Sequence, residues 1–181
     1  GGGASWIAKT YNPKKLVAFD FSKDAVRLAN NWYASQANLS FEVGNAEDLP
    51  LEDNSKDIIY NVESSHCYGN VEAFVKEVYR SLRSGGYFCW TDFRDKETME
   101  KLHDIFLDTG FEIISKRDIT KEVLDALDDI NDSKVKGINE SVPMGMKKSF
   151  ETFAGVQGTP VYEAFKTGNL HYHRYLMVKP E

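Results

Sequence analysis

An α/β fold, with helices on both faces of a doubly wound and mostly parallel sheet, is the architecture this sequence predicts. Three observations lead there. Short apolar runs of strand length alternate with stretches whose apolar residues recur at helical spacing. Polar or glycine-bearing turns follow the runs, as they do at the carboxyl ends of strands in open α/β sheets. No repeat, low-complexity segment or linker divides the 181 residues, a length suited to one domain with one core.

The elements follow in order. Leu16-Val17-Ala18-Phe19 is a buried-strand run that ends at Asp20. Ser22 suits the N-cap of the next helix, with Asp24 in the first turn where the dipole favours an anion. Val26, Ala29, Trp32 and Tyr33 form the apolar stripe of that helix. Leu39–Val43 alternates as a strand and stops at Gly44, and Asp57–Val62 is a third strand. Asn70 precedes Val71, Phe74, Val75, Val78 and Leu82, a helical stripe for which Gly85-Gly86 is the expected stop. Tyr87–Phe93 reads as a strand, Lys96–Thr109 as a helix stopped by Gly110, and Phe111–Ile119 as a strand. Thr120 opens a helix carrying Val123, Leu124, Leu127 and Ile130. A mixed region runs to Gly168, and His171–Val178 is the last strand.

Composition excludes several function classes. A net charge of −6 disfavours general binding to nucleic acid or to an anionic membrane. No apolar run approaches membrane-spanning length, and no signal-peptide pattern opens the chain. Cys67 and Cys89 are too few for a disulfide framework, so a reducing, cytoplasmic setting is expected.

Three loops carry candidate chemistry. Gly1-Gly2-Gly3 precedes Asp20 by the spacing at which a glycine turn and a ribose-binding acid serve a nucleotide-like cofactor; the plain alternative for Asp20 is a turn cap. Gly44-Asn45-Ala46 follows the next strand, where an amide and free backbone groups can read an adenine edge, or simply form a polar turn. Asn61-Val62-Glu63-Ser64-Ser65-His66-Cys67-Tyr68 follows the third strand. His66 has the ordinary basicity to take a proton from a hydroxyl, and Asp92, at the next strand end, can orient the imidazole. The alternative has Asp92 pairing Arg94 or capping the next helix. His171 and His173 share a strand face, but no third ligand stands near them in sequence, so no metal site is expected.

GGGASWIA, LVAFDFS, GNAEDLPLEDNSKDIIYNVESSHCY and FVKEVYRSLRSGGYF resemble, in order and spacing, the class I S-adenosylmethionine-dependent methyltransferases. VESSHCY and FAGVQGTPVYEAFKTGNLHYHRYLMVK are most similar to the phthiotriol/phenolphthiotriol dimycocerosate methyltransferase group, which O-methylates hydroxyls on lipid or polyketide chains. The resemblance implies a Rossmann-like domain over 1–181. Its cofactor-binding half is 1–93, and 94–181 completes the sheet with an insertion at about 120–168 covering the acceptor. It also implies a strand position ahead of Gly1 that this chain does not supply, so that two neighbouring strands lack a ladder partner.

The resemblance further implies S-adenosylmethionine as cofactor and S-adenosylhomocysteine as product. Gly1 and Gly3 match positions beside the methionine part, Asp20 the ribose acid, Phe21 the residue next to the adenine, and Asn45 and Ala46 the adenine-edge pair. Asn45 departs from the usual aspartate. Asn61 and Glu63 match the strand end facing the methyl group, His66 the general base and Asp92 its partner. The expected acceptor is a hydroxyl of an apolar small molecule, lipid or polyketide, with Val142, Met144, Met146, Phe150 and Phe153 as an apolar cover or as core packing. Carbon methylation of a sterol-type alkene, and a truncated or inactive methyltransferase-like binding module, are the competing expectations. Open strand edges would favour self-association into a homo-oligomer.

Overall fold

Leu16–Asp20 forms β1 and Leu39–Val43 forms β2, a parallel pair in which Asp20 stands opposite Val43. The computed structural model describes residues 1–181. The helix Gly2–Tyr11 (α1) packs against β1 and β2, and Lys23–Trp32 (α2) connects the two strands. Ser22 caps α2 by accepting from the Ala25 amide at 3.2 Å, as its position predicts. Ala4, Ala8, Leu16, Val26, Ala29 and Phe41 make a small core between these elements.

The remaining strands form a second sheet. Its members are Lys56–Val62 (β3), Leu82–Arg94 (β4), Glu112–Asp118 (β5) and His171–Val178 (β6), in the order β3-β4-β6-β5. β3 and β4 are parallel, connected by the helix Val71–Ser81 (α3). β6 lies between β4 and β5 and runs antiparallel to both. The sheet is therefore mixed where the β-α rhythm predicted a mostly parallel one. The two parallel pairs are those joined by crossover helices, and β6 enters only after the helical region. The helix Lys96–Thr109 (α4) joins α3 over this sheet. Phe74, Val75, Val78, Leu82, Phe88, Trp90, Phe106 and Met177 lie at the centre of the main core.

No ladder joins the β1–β2 pair to the four-stranded sheet, in keeping with the open strand position that the resemblance implied. Tyr60 of β3 packs against the smaller core and keeps the two sheets in contact. Ile58 and Val62, on the same face of β3 as Tyr60, are exposed.

One expected stop is corrected. α3 ends at Ser81, four residues before Gly85, and Leu82 turns directly into an extended conformation. The glycines serve a register jump instead: Lys56 pairs Leu82, whereas Ile58 pairs Tyr87. Gly85 sits at φ 71°, and a Cβ on Gly86 would meet the Arg83 carbonyl at 2.8 Å. Gly110 does stop α4, at φ 107°. The region 120–168 folds as four helices: Thr120–Asp129 (α5), Asn131–Ser141 (α6), Lys147–Phe153 (α7) and Pro160–Lys166 (α8).

Candidate active site

Two strand ends and one helical turn build the centre of the site. β3 ends beside β4, where the Glu63 amide donates to the Thr91 carbonyl at 3.0 Å. The chain then turns through a short 3-10 segment, Ser65–Cys67, that carries His66 over the end of β4. Asp92 is fully buried beneath it. Its Oδ1 accepts from His66 Nδ1 and from the Phe93 amide, each at 2.9 Å. Its Oδ2 accepts from Ser65 Oγ at 2.8 Å and from the His66 amide at 3.1 Å, with Arg94 Nη1 at 3.3 Å. Burial alone would raise the proton affinity of Asp92. The bonds from His66, Phe93 and Ser65 and the charge of Arg94 outweigh it and hold the carboxyl below its ordinary value.

A carboxylate at Nδ1 fixes both the orientation and the tautomer of an imidazole. The proton sits on Nδ1, and the lone pair is left on Nε2. The His66 ring lies 4.7 Å from that of Phe93, and its side chain is partly exposed. Both sequence alternatives for Asp92 are thereby resolved. It does pair Arg94, but in addition to His66, and the cap of α4 is Asp95, which accepts from the Thr98 amide at 2.9 Å.

Ser65 is the hub that sequence reasoning missed. Its hydroxyl donates to Asp92 while accepting from Trp90 Nε1 and Arg94 Nη2, both at 2.9 Å. A serine in a run of serines gives no sign of this, because its partners lie on β4. Tyr172 was missed as well. Burial, then the negative charge of Glu63, push its phenol well above the usual range. Glu63 itself holds φ 47°, a strained conformation at the strand end.

The other candidates gather at neighbouring strand ends. The Gly44 amide donates to the Asp20 carbonyl at 3.1 Å, so the loop after β2 adjoins the end of β1. Asp20 uses Oδ1 to accept from the Ser22 amide at 2.8 Å, and its exposed carboxylate keeps a second oxygen. Phe21 beside it is 81% exposed. Asn45 accepts from the Glu47 amide at 3.0 Å, which shapes the loop, and Ala46 packs against the main core. Glu47 then reaches across: its Oε1 accepts from the amides of Gly69 and Asn70 at 2.7 and 3.1 Å. That contact ties the loop after β2 to the segment leaving His66, and so brings the ends of the two sheets together.

Asn61 is buried, with Nδ2 donating to the Tyr68 hydroxyl at 3.0 Å and Oδ1 left without a protein partner. An orphaned buried acceptor at a strand end awaits a donor. The glycines divide. A Cβ on Gly1 would press within 2.9 Å of the Phe41 ring, whereas one on Gly3 would meet nothing within 4 Å. Packing therefore requires Gly1, and the space at Gly3 is open. The free Asp20 oxygen, the exposed Phe21 ring and the unpartnered Asn61 acceptor suit a ligand with hydroxyls, an aromatic base and a cationic end.

A family model described as "Methyltransferase domain" matches residues 1–90. The phthiotriol/phenolphthiotriol dimycocerosates methyltransferase of Mycobacterium tuberculosis is 32% identical over 179 residues, covering 99% of this chain and 66% of the relative. The fatty-acid O-methyltransferase of Mycolicibacterium smegmatis is 31% identical over 180 residues, covering 99% and 65%. The chain thus spans just under two thirds of the length of these relatives. Among solved structures, phosphoethanolamine N-methyltransferase 2 of Haemonchus contortus in complex with S-adenosyl-L-methionine superposes with a TM-score of 0.81 at 18% identity, covering all of this chain and 46% of that one. Geranyl diphosphate C-methyltransferase of Streptomyces coelicolor A3(2) does so at 0.71 and 14%, covering 99% and 70%. These two modify different atoms, so their likeness speaks for the fold alone.

Proposed function

We propose that the chain is a class I S-adenosylmethionine-dependent methyltransferase, as its methyltransferase-domain match and its relatives support, and that it methylates a hydroxyl of an apolar small molecule, lipid or polyketide, with His66 as general base. The observation that carries this reading is the bond of 2.9 Å between His66 Nδ1 and the buried Asp92. It directs an unprotonated Nε2 outward, where an acceptor hydroxyl can deliver its proton. Asp92 then stabilises the imidazolium, as a buried anion does beside a new cation.

Asp20 and Phe21 are the residues for the ribose and adenine of the cofactor, Asn45 and Ala46 for the adenine edge, and Gly1, Gly3 and Asn61 for the methionine end. When bound, S-adenosylmethionine supplies a methyl group activated by its sulfonium, so the chain needs neither a covalent nucleophile nor a catalytic metal. What the chain contributes is alignment and proton removal. Glu63 lines the acceptor side of the same strand end.

The apolar character of the acceptor is supported by the helices after β5. Met144 and Phe153 are 88% and 89% exposed, and Met146 and Phe150 are exposed beside them; Val142 is half-buried. Packing of a closed core does not account for such a surface, and a lipid chain would cover it. These helices reach the base through Phe165 of α8, whose ring lies 5.4 Å from that of Phe93. The two relatives with lipid-like acceptors in their names support the same class.

The test is His66→Ala assayed on long-chain alcohols, with S-adenosylhomocysteine binding followed by calorimetry. The expected result is a rate loss of roughly 10²-fold or more, with cofactor affinity retained. Asp20→Ala should do the reverse and weaken cofactor binding. A His66→Ala enzyme that loses only a few-fold would point instead to an acceptor that gives up no hydroxyl proton, as in carbon methylation.

A further inference from the structure

Asp118 ends β5 directly opposite His173 of β6, and His171 shares the His173 face two residues earlier. Asp118 Oδ2 lies 3.2 Å from His171 Nδ1 and 3.5 Å from His173 Nε2. All three ligand-type atoms fall within 4.8 Å of one another. We propose that Asp118, His171 and His173 form a binding site for one divalent transition-metal ion of the zinc class, separate from the His66–Asp92 site.

The donor set is of the right kind. Two imidazole nitrogens and one carboxylate oxygen are the ligands that borderline cations such as Zn²⁺ prefer. Around an ion held at about 2.0–2.2 Å, tetrahedral ligand atoms stand roughly 3.3–3.6 Å apart. The two Asp118–histidine separations, 3.2 and 3.5 Å, lie within about 0.1 Å of that spacing, and a swing of one imidazole would close the third.

The carboxylate is also braced. Its other oxygen, Oδ1, accepts from the Thr120 amide at 2.9 Å and from Thr120 Oγ1 at 2.5 Å. Such outer bonds fix a ligating carboxylate in place. No lysine or arginine pairs with Asp118: its only ionic partners are the two histidines. Arg117, next to it on β5, pairs with Glu122 at 2.9 Å, and Lys116 holds its ammonium 5.5 Å above the Tyr175 ring.

A second observation points to a ligand at the same place. The three residues line a cavity of about 410 Å³ together with Lys96, Met99, Glu100 and Lys116. His173 turns Nε2 toward Asp118 and the cavity; its Nδ1, on the other side of the ring, is buried without a hydrogen-bond partner and takes no part in the ligand set. The cavity is open enough for a water as fourth ligand, and Glu100 stands at its wall. His173 stands opposite Asp92 in the β4–β6 ladder, but the side chains of the three residues bond to one another and to Thr120 rather than to His66 or Asp92, so the ion would tie β5, β6 and the start of α5 together rather than take part in methyl transfer.

The experiment is a Zn²⁺ titration of the metal-stripped chain against a chromophoric chelator, paired with histidine ¹⁵N NMR. The chain has four histidines, His66, His103, His171 and His173, so each can be followed. One equivalent should bind, moving the resonances of His171 and His173 and leaving those of His66 and His103 in place. His171→Gln and His173→Gln should each weaken binding by at least about 10-fold, and Zn²⁺ should raise the melting temperature of the native chain but not of the variants. Absence of saturable binding would overturn the proposal. So would binding that both variants retain, or one that shifts His66 or His103 instead. The NMR readout on the native chain decides the matter even where a variant fails to fold.

Discussion

Ser65 shows how one hydroxyl can organise a site. It joins Asp92, Trp90 and Arg94 in a fully buried position. Ser65→Ala leaves two buried donors without their acceptor and removes one bond from the carboxylate that orients His66. A loss of about 1–3 kcal/mol is expected in urea unfolding, together with a fall in kcat larger than any change in KM. Asp92 makes a further prediction. Its folded carboxyl lies below the ordinary value of 3.8, so the unfolded chain binds the extra proton as pH drops below that point. Stability therefore rises with pH across that window and falls on acidification. Unfolding measured from pH 5 downward should show a shallower acid loss in Asp92→Asn than in the native chain. At this scale the sequence was most informative. The pairing of His66 with Asp92 was legible because reactive side chains gather at strand ends. Asp118 was not, since its partners stand on a strand more than fifty positions away and only the β5–β6 register brings them together.

Most helices and strands could be read from local signals. Ser22 caps as expected, Asn70 caps α3 by accepting from the Ala73 amide at 2.9 Å, and Gly110 takes the left-handed conformation after α4. The end of α3 could not be read in this way. Lys179, at the far end of the chain, donates through Nζ to the carbonyls of Tyr79 and Leu82 at 2.9 and 2.8 Å and to Asn54 Oδ1 at 2.8 Å. A cation on the last carbonyls of a helix does what a terminal glycine does elsewhere, and no local pattern announces it. Lys179→Ala should cost about 1–3 kcal/mol in denaturant unfolding; an unchanged midpoint would show that the glycine-bearing bulge ends the helix unaided. The place of β6 was equally illegible. Its alternation marks a strand, but alternation says nothing of which neighbours it will pair with.

At the scale of the whole molecule the two sheets differ in how well they are held. The four-stranded sheet rests on twelve buried residues and the β1–β2 pair on six, and nothing ladders one to the other. Local stability follows buried contact. Hydrogen exchange should be faster in the amides of β1 and β2 than in β4 and β6, and S-adenosylhomocysteine should slow the former selectively. Uniform protection across both sheets would show that Tyr60 and the Glu47 contact couple them fully. A different consequence follows from the aromatic stack at the site. Phe93 carries the His66 ring at 4.7 Å while its own ring touches Phe165 of α8 and Tyr172 of β6, at 5.4 and 6.1 Å. The imidazole thus rests on a shelf whose far bracket belongs to the helices proposed to cover the acceptor. If an acceptor chain entered under α8, the same movement of Phe165 that admitted it would shift the support of the base, so entry and proton removal would be linked through one ring contact.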